Sequence, residues 1–279
     1  MQARRGVLPG YSLAMSITLV YLGLFVVLPL GALVWRGGVL GGAALWPNLV
    51  SPRALASYRL SLGAALLAAA INTVCGLLCA WVLSRYRFPG RALLDALVDL
   101  PFALPTSIGG IALTTLYSAH GPLGAPLERL FGVRVAFTQL GIVVALVFVG
   151  LPFVIRAVQP VLADFDAGVE EAAVLLGASR LQLFGRVILP ALLPALLTGF
   201  ALAFARALGE YGSVVFIAGN MPMKTEITPL LIMTRLEQYD YAGATAVALL
   251  MLLVSFTLLA AIHRLQVWSS RRHAPAESA

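Results

Sequence analysis

Six stretches of this sequence run for about twenty residues without a single charged side chain: 11–35, 60–84, 100 to beyond 117, 135–155, 187–205 and 241–262. A bilayer's hydrocarbon core is ~30 Å thick, and a helix rising 1.5 Å per residue needs ~20 apolar residues to cross it. No water reaches that core to bond exposed N–H and C=O groups, so each stretch must satisfy its own backbone as a helix. The pattern predicts an all-α integral membrane protein with six transmembrane helices. Composition agrees: only 11% of the 279 residues are charged and 60% are hydrophobic, against about a quarter charged in a soluble domain. A water-soluble enzyme, a nucleic-acid binder and a disordered scaffold are excluded. The net charge of +7 is read as arginine lining cytoplasmic loops, with no nucleic acid as partner.

Arg4 and Arg5 precede the first stretch, but its apolar run is long for a signal peptide and has no clear cleavage site, so an uncleaved helix is expected. With both termini in the cytoplasm, inner segments hold eleven basic residues and outer segments eight; the outer ones fall mostly in longer connections, where charge has little say over orientation. The expected organisation is a cytoplasmic tail at 1–10 and a first helix with its periplasmic connection at 11–58. A five-helix core at 59–262 follows, with a cytoplasmic tail at 263–279 whose last residues, 274–279, are expected to be disordered. Alanine and glycine within the spans let helices approach closely, and Pro29, Pro101, Pro105, Pro152, Pro190 and Pro194 interrupt or border them. Cys75 and Cys79 lie four apart in an apolar run and are read as small packing residues.

The most informative polar stretch is 156–186. Asp164 and Asp166 offer helix caps, and Glu170 and Glu171 fall in the early turns, where a helix dipole favours acids. Gly177 follows Val174-Leu175-Leu176 at the place of a left-handed C-terminal cap. Ser179 and Gln182 make a capping box for a second helix. The expected structure is a short helix, a tight turn and a helix leading back into the membrane. Leu175, Leu176, Leu181 and Phe184 would be left exposed, and such an apolar patch asks for a partner protein.

This spacing resembles the signature of importer-type ABC transporter permeases: E-A-A, three residues, glycine, nine residues, then I-x-L-P. Here it stands as Glu171-Ala172-Ala173, Gly177 and Val187-Ile188-Leu189-Pro190, with valine in place of the first isoleucine. Residues 206–248 are similar to one permease subunit, called T or U, of the sulfate/thiosulfate importers. Gly209-Glu210-Tyr211-Gly212, Ala218-Gly219-Asn220, Lys224-Thr225-Glu226 and the run from Arg235 to Tyr241 carry that similarity. The resemblance implies a type I importer permease in the bacterial inner membrane. It implies as partners a second permease subunit of the W type, two ATP-binding subunits and a periplasmic sulfate/thiosulfate-binding protein. Glu171, Ala172, Ala173, Gly177 and Ser179 would form the loop that docks on the ATPase. Permeases for other oxyanions such as molybdate are the nearest relatives of this pattern.

The chain's own chemistry is sparse. Lys224, the one lysine among 19 basic residues, follows Met-Pro-Met, so no G-x-x-x-x-G-K-[ST] phosphate loop is present. ATP and magnesium would be used by another chain, and no cofactor or metal is expected on this one. His120, His263 and His273 have no partner at ligand spacing. Arg206 and Glu210 are one helical turn apart at the end of a span. They read either as an ion pair worth ~0.2–0.5 kcal/mol if exposed or as a pair lining the translocation pathway. A gradient-driven secondary transporter, the competing class, would more naturally carry acids or histidines inside the spans.

Overall fold

The computed structural model describes residues 11–273; the expected tail at 1–10 and the last residues, 274–279, of the expected tail at 263–279 lie outside them, while 263–273 continue the last helix. The described residues form helices α1 (Tyr11–Leu49), α2 (Pro52–Arg85), α3 (Arg91–Val98), α4 (Leu100–Ala103), α5 (Thr106–Tyr117) and α6 (Gly124–Phe131). They continue as α7 (Gln139–Ala163), α8 (Ala167–Leu175), α9 (Arg180–Leu208), α10 (Gly212–Ala218), α11 (Thr228–Glu237) and α12 (Tyr241–His273).

Among them, five are long and apolar enough to cross a membrane: α1, α2, α7, α9 and α12. The third expected span is not one helix. It is broken between α4 and α5, where Leu104 is extended (φ −88°, ψ 138°) before Pro105. A proline ring disfavours helical geometry in the residue before it and has no N–H to continue the ladder. The 12 residues of α5 alone reach only ~18 Å, so this crossing is a broken one: α2 and α7 run parallel, and the chain between them must return along the bundle. Hydropathy over this stretch is high, but the two prolines at 101 and 105 decide its shape.

The first helix is longer than its uncharged run. It continues past Arg36, whose guanidinium lies 5.6 Å from the Tyr241 ring centroid, and bends at Gly41 (φ 72°) before ending at Leu49. In α1 and α9 a π-turn stands directly before the residue preceding a proline: Gly23–Val27 before Leu28-Pro29, and Phe184–Ile188 before Leu189-Pro190. A proline inside a helix clashes with the carbonyl four residues back; widening the turn moves that carbonyl away, which accounts for both π-turns.

The core is where small residues let α2, α7 and α9 meet. Ala65, Ala68 and Ala69 of α2 are fully buried. A side chain at Gly76 would fall 2.8 Å from Val154 Cβ, one at Gly199 2.8 Å from Val154 Cα, and one at Gly150 2.4 Å from the Asn72 amide nitrogen. The register of 72 with 150 and 76 with 154 makes α2 and α7 parallel. In lipid, close packing of this kind replaces the hydrophobic drive that water supplies elsewhere. By contrast α1 buries only Gly37, which sits against Leu249 of α12. It is a peripheral helix clasped to the last one.

Candidate functional site: the coupling loop and the charged helix ends

The expected loop at 156–186 begins later than its first arginine, because α7 runs on to Ala163. Beyond it the local signals act as the sequence predicts, except that Asp164 follows the last turn of α7 and does not cap α8. The Asp166 carboxylate accepts from the Gly168 amide at 2.8 Å, capping α8. At the other end Ala178 N–H donates to the Ala173 carbonyl (3.0 Å) and Gly177 N–H to the Val174 carbonyl (2.9 Å). These two bonds are a Schellman motif, with Gly177 at φ 84° in the left-handed position that glycine alone takes without strain. Ser179 then caps α9: its hydroxyl accepts from Gln182 N–H (3.4 Å), and the Gln182 side chain accepts from Ser179 N–H (2.9 Å).

Glu171, Ala172, Gly177 and Ser179 are exposed on this turn and Ala173 is half-buried. Leu175 and Leu176 are each 88% exposed and Leu181 is 85% exposed. Three bare leucines at one tip form the apolar patch that the pattern called for. Phe184 does not join them. It is half-buried, edge-on to Trp81 of α2 at 5.7 Å, so an aromatic partner from a distant helix takes it out of the patch.

Two arginines tie this region to the membrane helices, and neither tie was legible from local sequence. Arg85, the last residue of α2, pairs with Glu170 in the first turn of α8. Its guanidinium also lies 5.4 Å from the Trp81 ring and 5.9 Å from the Phe165 ring. Arg156 of α7 clamps the α3–α4 segment: it bonds both carboxylate oxygens of Asp99 (2.9 and 2.6 Å), the Asp95 carboxylate (2.8 Å) and the Asp95 carbonyl (2.9 Å). The Gln159 side chain donates to the Asp95 carboxylate oxygen that Arg156 also reaches, at 3.0 Å. Donation from Gln159, aided by Arg156, holds the Asp95 carboxyl below the usual carboxylate range.

The ends of the helices opposite this loop carry their own charge pairs. Arg206 and Glu210 meet at 2.5 Å. Glu210 lies past the end of α9, is 1% exposed, and accepts from both the Ser213 amide and hydroxyl at 2.9 Å. Its carboxylate thus holds the start of α10 as well as Arg206. Arg53 of α2 makes a two-pronged pair with buried Glu226 at 2.7 and 2.6 Å, and Ser61 and Thr228 exchange hydrogen bonds beside it. Buried Arg235 reaches Asn48 at 3.0 Å. These bonds lock α10–α11 and the end of α1 onto α2. Cys75 is exposed on α2 and Cys79 half-buried, both as free thiols; Cys75 therefore does not pack inward as expected.

Residues 72–274 match the family described as "Binding-protein-dependent transport system inner membrane component". The sulfate transport system permease protein CysT of Salmonella typhimurium is 49% identical over 268 residues, covering 96% of each chain. The protein of that name from Escherichia coli is 48% identical over the same length, and that from Synechocystis 49% identical over 260 residues, 93% of this chain and 91% of the other. Among solved structures, a bacterial ABC transporter involved in import of the acidic polysaccharide alginate superposes with a TM-score of 0.76. It covers 95% of this chain and 97% of the other at 16% identity, a likeness of fold alone.

Proposed function

The chain belongs to the family of binding-protein-dependent transport inner membrane components, and on that premise we propose that it is a permease subunit of an ATP-driven importer of sulfate and thiosulfate. The observation that carries the reading is the tip of the 164–186 loop. Leu175, Leu176 and Leu181 are bare there, on a turn made rigid by a cap at each end. Water does not tolerate such a patch without cause. A cleft on an ATP-hydrolysing subunit would cover it. The near-half identity to sulfate permeases along 268 residues supports the choice of substrate.

In this reading the loop faces the cytoplasm, as do both termini, and the chain crosses the bacterial inner membrane repeatedly. Residues 59–262 form the permease core and 11–58 the peripheral first crossing. Two ATP-binding subunits use ATP and magnesium; this chain binds no cofactor. A W-type permease completes the pathway, and a periplasmic binding protein delivers the anion. Closure of the ATPase dimer moves the docked loop, and Arg85–Glu170 passes that motion to α2 while the capped turn resists deformation. Arg206 supplies positive potential along the pathway.

Purification from membranes tests the assembly: an ATPase and a second permease should copurify with this chain. Sulfate uptake by a strain lacking it, with thiosulfate and molybdate as competitors, tests the substrate. Absence of any ATPase partner, with sulfate uptake driven by an ion gradient, would replace this reading with a secondary transporter.

A further inference from the structure

At the end of the bundle opposite the coupling loop, a cavity of ≈ 530 Å³ opens between α2 and α7. Leu60 and Leu67 of α2 and Val143 of α7 give it an apolar wall. Two cations line it: Arg59 of α2 and Lys224 of the loop joining α10 to α11. Both are exposed, and neither forms an ion pair among the described residues. Glu226 also borders the cavity, but its carboxylate is buried and occupied by Arg53. The cavity thus carries two uncompensated positive charges and no free negative one.

The loop that places Lys224 is held in an unfavourable shape. Met223, at φ 62°, adopts left-handed geometry, which is costly for a residue with a long apolar side chain, while Asn220, at φ 43°, tolerates it. Such geometry persists only where surroundings over-determine it. Here they do. The amides of Lys224, Thr225 and Glu226 converge on the Met221 carbonyl at 3.1, 2.9 and 3.2 Å. The Met221 amide donates to the Thr225 hydroxyl, and the Gln139 amide of α7 donates to the Lys224 carbonyl at 3.0 Å. Lys224 is therefore fixed to the same helix that forms the cavity wall.

We propose that this groove is an oxyanion subsite, where Arg59 and Lys224 attract a tetrahedral dianion such as sulfate before it enters the crossing. The proposal rests on the transport function given above. Low-dielectric walls strengthen the attraction, while the exposure of both cations keeps water at hand, so that the anion is released again. Conduction needs both. The phosphate of a lipid headgroup shares this chemistry, and the test separates the two sources.

The assembled transporter is reconstituted in phosphatidylethanolamine vesicles with two different fractions of phosphatidylglycerol. Initial sulfate uptake is measured against the concentration of sulfate-loaded binding protein. Arg59→Ala/Lys224→Ala should lower the maximal rate on the order of tenfold at an unchanged half-saturating concentration and in both lipid mixtures. Arg59→Lys should keep most of the rate. If the double variant assembles poorly, Arg59→Gln and Lys224→Gln carry the same comparison singly. A raised half-saturation at full maximal rate would assign the cations to gripping the binding protein. A loss that follows the phosphatidylglycerol fraction would assign them to lipid, and no loss would leave them without a role in uptake; each of these overturns the proposal. Failure of the unaltered transporter to import sulfate at all would instead overturn the function on which the proposal rests.

Discussion

Arg85 and Glu170 are 85 residues apart, yet their ion pair joins the last residue of a membrane helix to the first turn of the helix that precedes the exposed leucine tip. About a quarter of each side chain meets solvent, and the flat guanidinium is flanked by Trp81 and Phe165. A lysine could match the charge but not the two aromatic faces. Arg85→Lys should therefore lower sulfate uptake per assembled complex by several-fold, and Arg85→Gln by more, while ATPase subunits still copurify. A double-mutant cycle with Glu170→Gln should return a coupling energy of roughly 1 kcal/mol; additive losses would show that the pair carries no motion.

Gly177 allows the backbone and the steric explanation of its turn to be separated. Nothing lies within 4 Å of the place its side chain would occupy, so any cost of substitution comes from φ 84° alone. Gly177→Val should cost on the order of 1–2 kcal/mol locally, weaken ATPase copurification and abolish uptake with normal membrane insertion. Gly177→Asn, which tolerates left-handed geometry, should retain much of both. Full transport by the valine variant would remove this turn from the coupling path.

What could be read from sequence was what is encoded locally. Asp166, Gly177 and the Ser179–Gln182 box act through groups within five residues of themselves, so spacing sufficed to place them. The break at Leu104–Pro105 was masked by high hydropathy on either side, which measures affinity for lipid and not helical continuity. Phe184 looked exposed because nothing near it in sequence covers it; Trp81, about a hundred residues earlier, does. The same holds for Arg53 with Glu226 and Arg156 with Asp95 and Asp99: the charges are plain in the sequence, but the partner is chosen by packing.

Asp95 sets an acid limit for the clamp on α3. Its carboxyl is held below the ordinary value of 3.8, first by the Gln159 donor and then by Arg156. A depressed folded-state pKa contributes stability that is complete above the unfolded value and lost as pH falls through the folded one. Thermal melting of the detergent-solubilised complex should therefore drop on acidification below about 4. In Asp95→Asn that part of the drop should vanish, along with some stability at neutral pH. An unchanged acid limb in the variant would exclude Asp95 as its origin.

Orientation can be read with single cysteines, once the exposed Cys75 and half-buried Cys79 are replaced by alanine. A membrane-impermeant thiol reagent applied to cells with permeabilised outer membranes should label a cysteine placed at Leu130, in the 121–134 connection. It should spare one at Gln182 or Leu94. Both latter positions are exposed on the chain, and their labelling in inside-out vesicles stripped of the ATPase would show that lack of labelling from outside reports sidedness and not cover by a partner. Labelling at Gln182 would reverse the assigned orientation.

Arg206 is the remaining charge whose role is open to a direct measurement. Its partner Glu210 is almost wholly buried and also holds the Ser213 amide and hydroxyl. Removing the arginine alone leaves that carboxylate uncompensated, a change that costs several kcal/mol for buried pairs. Arg206→Ala should thus reduce the amount of protein in the membrane before any effect on transport is counted. Glu210→Ala is a poor second change, because it also strips Ser213 of its acceptor. Glu210→Gln keeps an acceptor oxygen for Ser213 and discards only the charge. The double variant Arg206→Ala/Glu210→Gln should therefore regain membrane abundance. If Arg206 also supplies positive potential to the anion pathway, uptake per molecule should stay several-fold low in that variant, while Arg206→Lys keeps most of the rate because a point charge suffices for attraction. Recovery of the full rate per molecule in the double variant would leave the pair a purely structural tie between α9 and α10.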